Sequence, residues 1–389
     1  MVRRIQGLPT PAPDMDNVKR ERLEAVLESH DLDSVWFARP NSFAWLTGGN
    51  SVIDREADAG IAAVGYDGDV HVVTDTIEAP RIEAEELPDL GDEFTLEQFD
   101  WYATSLERAI AEQVADDEQA AADIEVPGLE RIDPATVRQP LTDRDRERYR
   151  ELSVETAAAV ESVCRELRPE DSELEVASAL QVALSARNIE APVRLVGGSE
   201  RATQYRHYTP TQTELGDYAL VSVTAEKYGL HASCTRTVAF DAPDWLEARH
   251  RAATQVETTA LAATQATAAA DGTAGDVFSA VQDAYAAVGF EGEWEYHHQG
   301  GAAGFAGREW IATPDNDAPV KTPMAYAWNP TVQGAKSEDT ALVTDEEIEA
   351  LTTTGGWETT TVEPLELEEW DFGDEVALER PDVLTLGEE

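Results

Sequence analysis

Seven histidines occur in the chain, and five of them (His207, His231, His250, His297, His298) fall in its second half. His207 stands in Tyr-Arg-His-Tyr-Thr-Pro, a loop position just before Pro210 and a coming strand. His297 and His298 follow Trp294 and precede a Gly/Ala-rich stretch, residues 300–304, whose bare backbone lets other groups approach closely. Arg308 and Glu309 end that stretch. Lys336 and Glu338, two apart at a strand start, point the same way. Imidazoles can move protons near neutral pH, and Arg and Lys can hold a carboxylate. Taken singly, each residue also has a plain structural reading. His207 could be a surface loop residue, Arg308-Glu309 an ion pair, and Lys336 with Glu338 a solvated strand face. Their order along the chain is what points to a site.

Helices and strands must bring these residues together. In the first part, helical periodicity covers 15–29, and short apolar or alternating runs cover 34–38, 61–66 and 70–74. Asp67-Gly68 between the last two predicts a hairpin. Helices are expected near 79–86 and 102–115. The segment 131–142, with Pro134 and Pro140, reads as a linker. Beyond it, helices are expected over about 143–167, 173–186, 245–269 and from Thr273 to about Val288. Strands are expected over 191–196, 219–225, 233–240, 324–328 and 338–343. Helices interleaved with antiparallel strands predict an α+β fold. The expected divisions are a flexible arm (1–16), an N-terminal α/β domain (17–135), a larger domain (136–365) and an acidic C-terminal extension (366–389).

Composition bounds the setting. The 389 residues carry a formal net charge of −49, and lysine occurs only at 19, 227, 321 and 336. Such a surface repels itself unless screened, and molar salt shortens the screening length to about 3 Å. The charge therefore predicts halophilic adaptation, with an acidic surface for a basic partner as the rival reading. Phosphate would be repelled, which excludes nucleic-acid binding by charge. Cys164 and Cys234 make no disulfide framework. No run approaches the ~18 apolar residues of a membrane span, and no signal segment is read at the N-terminus. A cytoplasmic protein is expected.

The segments as a set resemble the pita-bread superfamily of methionine aminopeptidase, aminopeptidase P, prolidase and creatinase. The likeness runs from about Trp36 to Thr344. Its marks are Trp36-Phe-Ala-Arg-Pro-Asn-Ser-Phe-Ala-Trp-Leu-Thr-Gly, Gly216-Asp217 opening a strand, Thr235-Arg236-Thr237 closing the next, and Glu338-Asp339-Thr340. The resemblance implies an N-terminal creatinase-type α/β domain followed by a pita-bread domain.

The departures matter more. Metallopeptidase members set two aspartates, a histidine and two glutamates around a pair of divalent ions. The matching positions here are Ser222, Ser233, Gly301, Asn329 and Glu338. Ser222 and Ser233 keep the aspartates' eleven-residue separation. Glu338 alone could not hold two ions, so no metal and no cofactor are expected. Creatinase, the member working without metal, offers a better carry-over. The resemblance makes His207 the general acid/base, His297 a second active-site histidine, Arg308 the substrate-carboxylate anchor and Glu338 an active-site acid. Lys336 joins Arg308 at the carboxylate. Asn329, Ser222 and Ser233 supply hydrogen bonds. Thr235 stands where creatinase has a glutamate, which puts creatine in doubt. Arg55 lies near where creatinase contributes an arginine from its partner subunit, and a homodimer is implied.

The expected function is a metal-independent, creatinase-like hydrolase acting on a C–N bond of a small carboxylate-bearing compound. The alternatives are an Xaa-Pro aminopeptidase-type peptidase with a non-standard metal site and an inactive pseudo-peptidase used for binding.

Overall fold

The computed structural model describes residues 15–372 and 376–387. Most of the expected flexible arm lies outside them. The described residues divide between Arg138 and Gln139 into two compact units.

The first unit runs α1 (Asn17–His30), β1 (Ser34–Phe37), α2 (Pro40–Thr47), β2 (Ala62–Tyr66), β3 (Val70–Asp75), α3 (Ala79–Glu85), β4 (Thr95–Phe99), α4 (Leu106–Ala111), β5 (Ala120–Ala122) and β6 (Glu130–Arg131). Its sheet has the order β4-β3-β2-β1-β5-β6. Asp67-Gly68 does turn a hairpin: Tyr66 pairs with Val70, and Gly68 takes a φ of 110° that a side chain would resist. The expected helix over 102–115 is shorter, because Asp100–Thr104 forms a turn and helix begins only at Leu106. Helix α2 and strand β4 were not anticipated. Arg55 lies on an exposed loop between α2 and β2.

The second unit runs α5 (Asp143–Cys164), α6 (Glu173–Ser185), β7 (Glu190–Gly198), α7 (Ser199–Ala202), β8 (Tyr218–Lys227), β9 (Leu230–Ala239), α8 (Leu246–Ala269) and α9 (Ala274–Ala287). It continues through β10 (Gly300–Ala303), β11 (Met324–Trp328), β12 (Thr331–Val332), β13 (Ala335–Lys336), β14 (Asp339–Val343), β15 (Ile348–Ala350), β16 (Thr359–Val362), β17 (Leu378–Pro381) and β18 (Leu384–Thr385). The main sheet has the order β10-β11-β14-β9-β8-β7, antiparallel along that path. The architecture is the expected α+β pita-bread fold.

The helix starts follow from their caps. At α5, Thr142 Oγ1 accepts from the Asp145 N–H at 3.3 Å while Asp145 accepts from the Thr142 N–H at 3.1 Å. Ser172 and Glu175 repeat the arrangement at α6. Helix α8 is rich in Ala and Thr, and these small side chains are largely buried. Trp328 of β11 reaches it, donating from Nε1 to Thr264 Oγ1 at 3.0 Å.

The chain's end joins the sheet system. Strand β17 pairs with β16, and β18 runs parallel to β9 with Leu384 opposite Val238. Arg380 is buried, with Nη1 2.9 Å from Glu257 Oε1. Among the described residues, no helix is long and apolar enough to cross a membrane.

Candidate active site

Strand geometry builds the floor of the site. Side chains two apart on a strand share a face, and in the β8/β9 hairpin Ser222 lies opposite Thr235 and Thr224 opposite Ser233. The result is a ladder of hydroxyls. Ser222 Oγ and Thr235 Oγ1 are 2.7 Å apart, and Thr224 Oγ1 and Ser233 Oγ 2.9 Å. Tyr208, fully buried, brings its hydroxyl to 3.3 Å from Ser222 Oγ.

Above this ladder sits Glu338, itself buried. Lys336 Nζ is 2.7 Å from its Oε2, and Arg308 Nη2 donates to its Oε1 at 3.1 Å. Thr235 Oγ1 donates to Oε2 at 2.9 Å. Arg308 also donates to Ser233 Oγ at 3.3 Å, and Lys336 to Ser222 Oγ at 3.4 Å. Burial alone would push the Glu338 carboxyl up. The two cations and the hydrogen bonds from Lys336 and Thr235 outweigh it and hold the group below the usual carboxylate range. The carboxylate stays ionised, and Lys336, Arg308 and Glu338 together carry one excess positive charge.

The imidazoles form a second cluster. His297, almost wholly buried, has Nε2 3.1 Å from His207 Nε2, so one ring donates and the other accepts. The His297 and His298 rings stack at 4.4 Å. Burial, then Lys336 and the neighbouring histidines, push the His297 imidazole down to about 2. His298, exposed as a residue but stacked on His297, is lowered to about 4, chiefly by desolvation and then by Arg308. His207, on the exposed rim, is lowered by partial desolvation and by Lys336, with Glu338 opposing. All three rings are therefore neutral at pH 7.

Among the described residues, the buried polar atoms without a hydrogen-bond partner include His297 Nδ1, Asn329 Oδ1 and Arg308 Nε. The backbone N–H of Asn329 is tied to the Gln299 carbonyl at 2.9 Å. Gln299 Oε1 in turn accepts from Tyr285 at 2.9 Å. Gly301 pairs with Ala327 across β10/β11, and a Cβ there would come within 2.2 Å of the Trp310 carbonyl oxygen.

The sequence reading sends Arg308 and Lys336 to a substrate carboxylate; in the fold both already engage Glu338. Lys336 and Glu338 do not make a solvated strand face, since both are buried. Arg55 belongs to the other unit. Tyr208 and Thr224 were not picked out from sequence. The period-2 pattern from Ser222 to Thr224 was the available signal for the latter. Cys234 is no nucleophile: burial pushes its thiol up to about 12. Of the aromatics near the cluster in sequence, Phe305 is buried and Tyr296 is 70% exposed. A separate cavity of about 550 Å³, lined by His250, Arg251, Thr360 and Arg380 among others, shares no residue with the cluster.

Residues 147–345 match the model of metallopeptidase family M24. That is more than half of the chain, and the chain belongs to this family. Solved structures of similar fold include an Xaa-Pro dipeptidase from Bacillus anthracis, 17% identical with a TM-score of 0.67, covering 86% of this chain and 97% of that one. A prolidase from Thermococcus sibiricus is 16% identical with a TM-score of 0.68, covering 98% and 100%. The N-terminal domain of the FACT complex subunit SPT16 from Cicer arietinum is 12% identical with a TM-score of 0.65, covering 87% and 97%. No curated protein matches the chain.

A pair of divalent ions does not fit the residues that the resemblance sets at the family's metal positions. Ser222 and Ser233 are neutral and already hydrogen-bonded. At Gly301 a ligating side chain would strike backbone. Both oxygens of Glu338 face cations from this chain's own side chains. An ammonium and a guanidinium stand where the ions would need the carboxylate.

Proposed function

We propose that this member of a hydrolase family cleaves a C–N bond of a small carboxylate-bearing compound without a two-metal centre. One observation carries the reading: Glu338 is neutralised by Lys336 and Arg308, and one positive charge is left over beside a neutral histidine pair. Excess positive charge in a half-dry site attracts an anion, and a carboxylate can draw on the remaining donors of Lys336 and Arg308.

The chemistry then falls to imidazole. His207, neutral at working pH, takes a proton from water as the water oxygen bonds to the electrophilic carbon. The C–N bond breaks, and His207 returns that proton to the leaving nitrogen. His297, held neutral by burial, keeps the His207 ring oriented through the 3.1 Å contact. Glu338 fixes Lys336 and Arg308. The unpartnered Asn329 Oδ1 accepts a hydrogen bond from the substrate, and the Ser222 and Ser233 hydroxyls hold Lys336 and Arg308 in place. We further infer a homodimer that works in the cytoplasm at molar salt, the last from the net charge of −49.

The test is to screen chelator-treated protein against amidino, ureido and N-acyl amino acids, in parallel with His207→Ala. Turnover that survives chelation and is lost in the variant supports the reading. Turnover unchanged by the substitution removes His207 from the mechanism, and turnover that needs an added ion overturns metal independence.

A further inference from the structure

We propose that His207, His297 and His298 together bind a single borderline transition ion of the Zn²⁺ class, at a place distinct from the family's two-ion position. Binding itself does not rest on the hydrolase reading. Its consequence does: an ion on Nε2 of His207 breaks the His207–His297 contact that orients the base, so occupancy and turnover exclude each other.

Geometry is the first support. Two imidazole nitrogens on one tetrahedral ion, each at about 2.0–2.1 Å, stand about 3.4 Å apart. His207 and His297 already hold their Nε2 atoms at 3.1 Å. Binding replaces the hydrogen they share: the donor ring changes tautomer, moving its hydrogen from Nε2 to Nδ1, so that both Nε2 lone pairs turn on the ion. One ligating nitrogen from each of the three rings lies within 4.8 Å of the others. That spread exceeds the bound spacing, so one ring must close by more than an ångström. His298 is exposed and can rotate to do so.

The donor set is the second support. Three neutral imidazoles with a fourth position left open make a familiar zinc environment, whereas Ca²⁺ and Mg²⁺ require oxygen ligands. Nearby charge works against the ion. Lys336 and Arg308 outnumber Glu338 by one, while Arg206 is answered by Glu293. This selects for ions that bind nitrogen strongly and disfavours ions held mainly by charge. The site recruits His298, which has no part in the proposed mechanism.

Co²⁺, a spectroscopic substitute for Zn²⁺, is the probe. Chelator-treated full-length protein is titrated with Co²⁺, and the visible d–d bands are followed, with Zn²⁺ added as competitor. One equivalent should bind, giving bands of low coordination number that Zn²⁺ abolishes. His298→Ala, at an exposed ring, should weaken binding by about tenfold or more, and His207→Ala likewise. No bound Co²⁺, or binding unchanged in His298→Ala, overturns the proposal and leaves the hydrolase reading intact. An ion retained by His298→Ala but lost in folded Glu338→Gln would sit at the family position and overturn both.

Discussion

Lys336 Nζ lies 2.7 Å from Glu338 Oε2, with both side chains out of water. Lysine occurs at only four positions in this chain, and this one is spent on a buried carboxylate. Lys19 and Lys227 are likewise committed, to the Trp45 carbonyl and to Glu151 with Glu155. A surface cleared of lysine makes the retained ones informative.

Removing one member of a buried charge cluster strands the others. Lys336→Met should lower stability by about 3 kcal/mol in denaturant unfolding. The double variant Lys336→Met/Glu338→Gln should recover a substantial part of that loss, because the stranded carboxylate is gone. Additive losses in the two variants would show that the pair is not coupled.

Acid should destabilise the fold from about pH 6.5 downward. In an unfolded chain His297 takes up a proton near pH 6.5, whereas burial holds it at about 2 in the fold. The unfolded state thus binds more protons below pH 6.5, and stability falls as pH drops. The slope from this group is about 1.4 kcal/mol per pH unit. Glu338, also held low, adds a loss only below the ordinary carboxylate range. Melting temperatures between pH 8 and pH 5 measure this, and His297→Gln should flatten the curve. An unaltered slope in that variant would assign the titration elsewhere.

Restoring acids should not restore the family's centre. The triple variant Ser222→Asp/Ser233→Asp/Asn329→Glu still has Lys336 and Arg308 on Glu338, so ion content by elemental analysis should stay well below two per chain. Adding Gly301→His should lower stability by about 1–3 kcal/mol or more, since its Cβ meets the Trp310 carbonyl at 2.2 Å. A stable quadruple variant with two tightly held ions would refute the steric argument.

Salt should stabilise the protein. With a net charge of −49, self-repulsion dominates at low ionic strength and is screened within about 3 Å in molar salt. The melting temperature should climb steeply between low and molar KCl. A flat response would count against the halophilic reading.

Much of the fold was legible because its signals are local. Asp67-Gly68 marks a hairpin by the backbone angles it permits. The runs 324–328 and 173–186 show strand and helix by periodicity alone, and Thr142 and Ser172 announce helices through residues three positions on. The two serines at 222 and 233, at the aspartates' spacing, led the sequence reading to expect that the metal ligands are replaced. What sequence could not show were partnerships across distance. Arg308 meets Glu338 over 30 residues and His207 meets His297 over 90. Arg380 reaches Glu257 over 123, drawing an acidic tail into the sheet system. Whether Lys336 faced water or a carboxylate depended on which surfaces closed over it. Periodicity follows from bond geometry within a few residues, whereas burial and charge pairing arise only once distant segments pack, and that packing gave Glu338 two cations from its own chain.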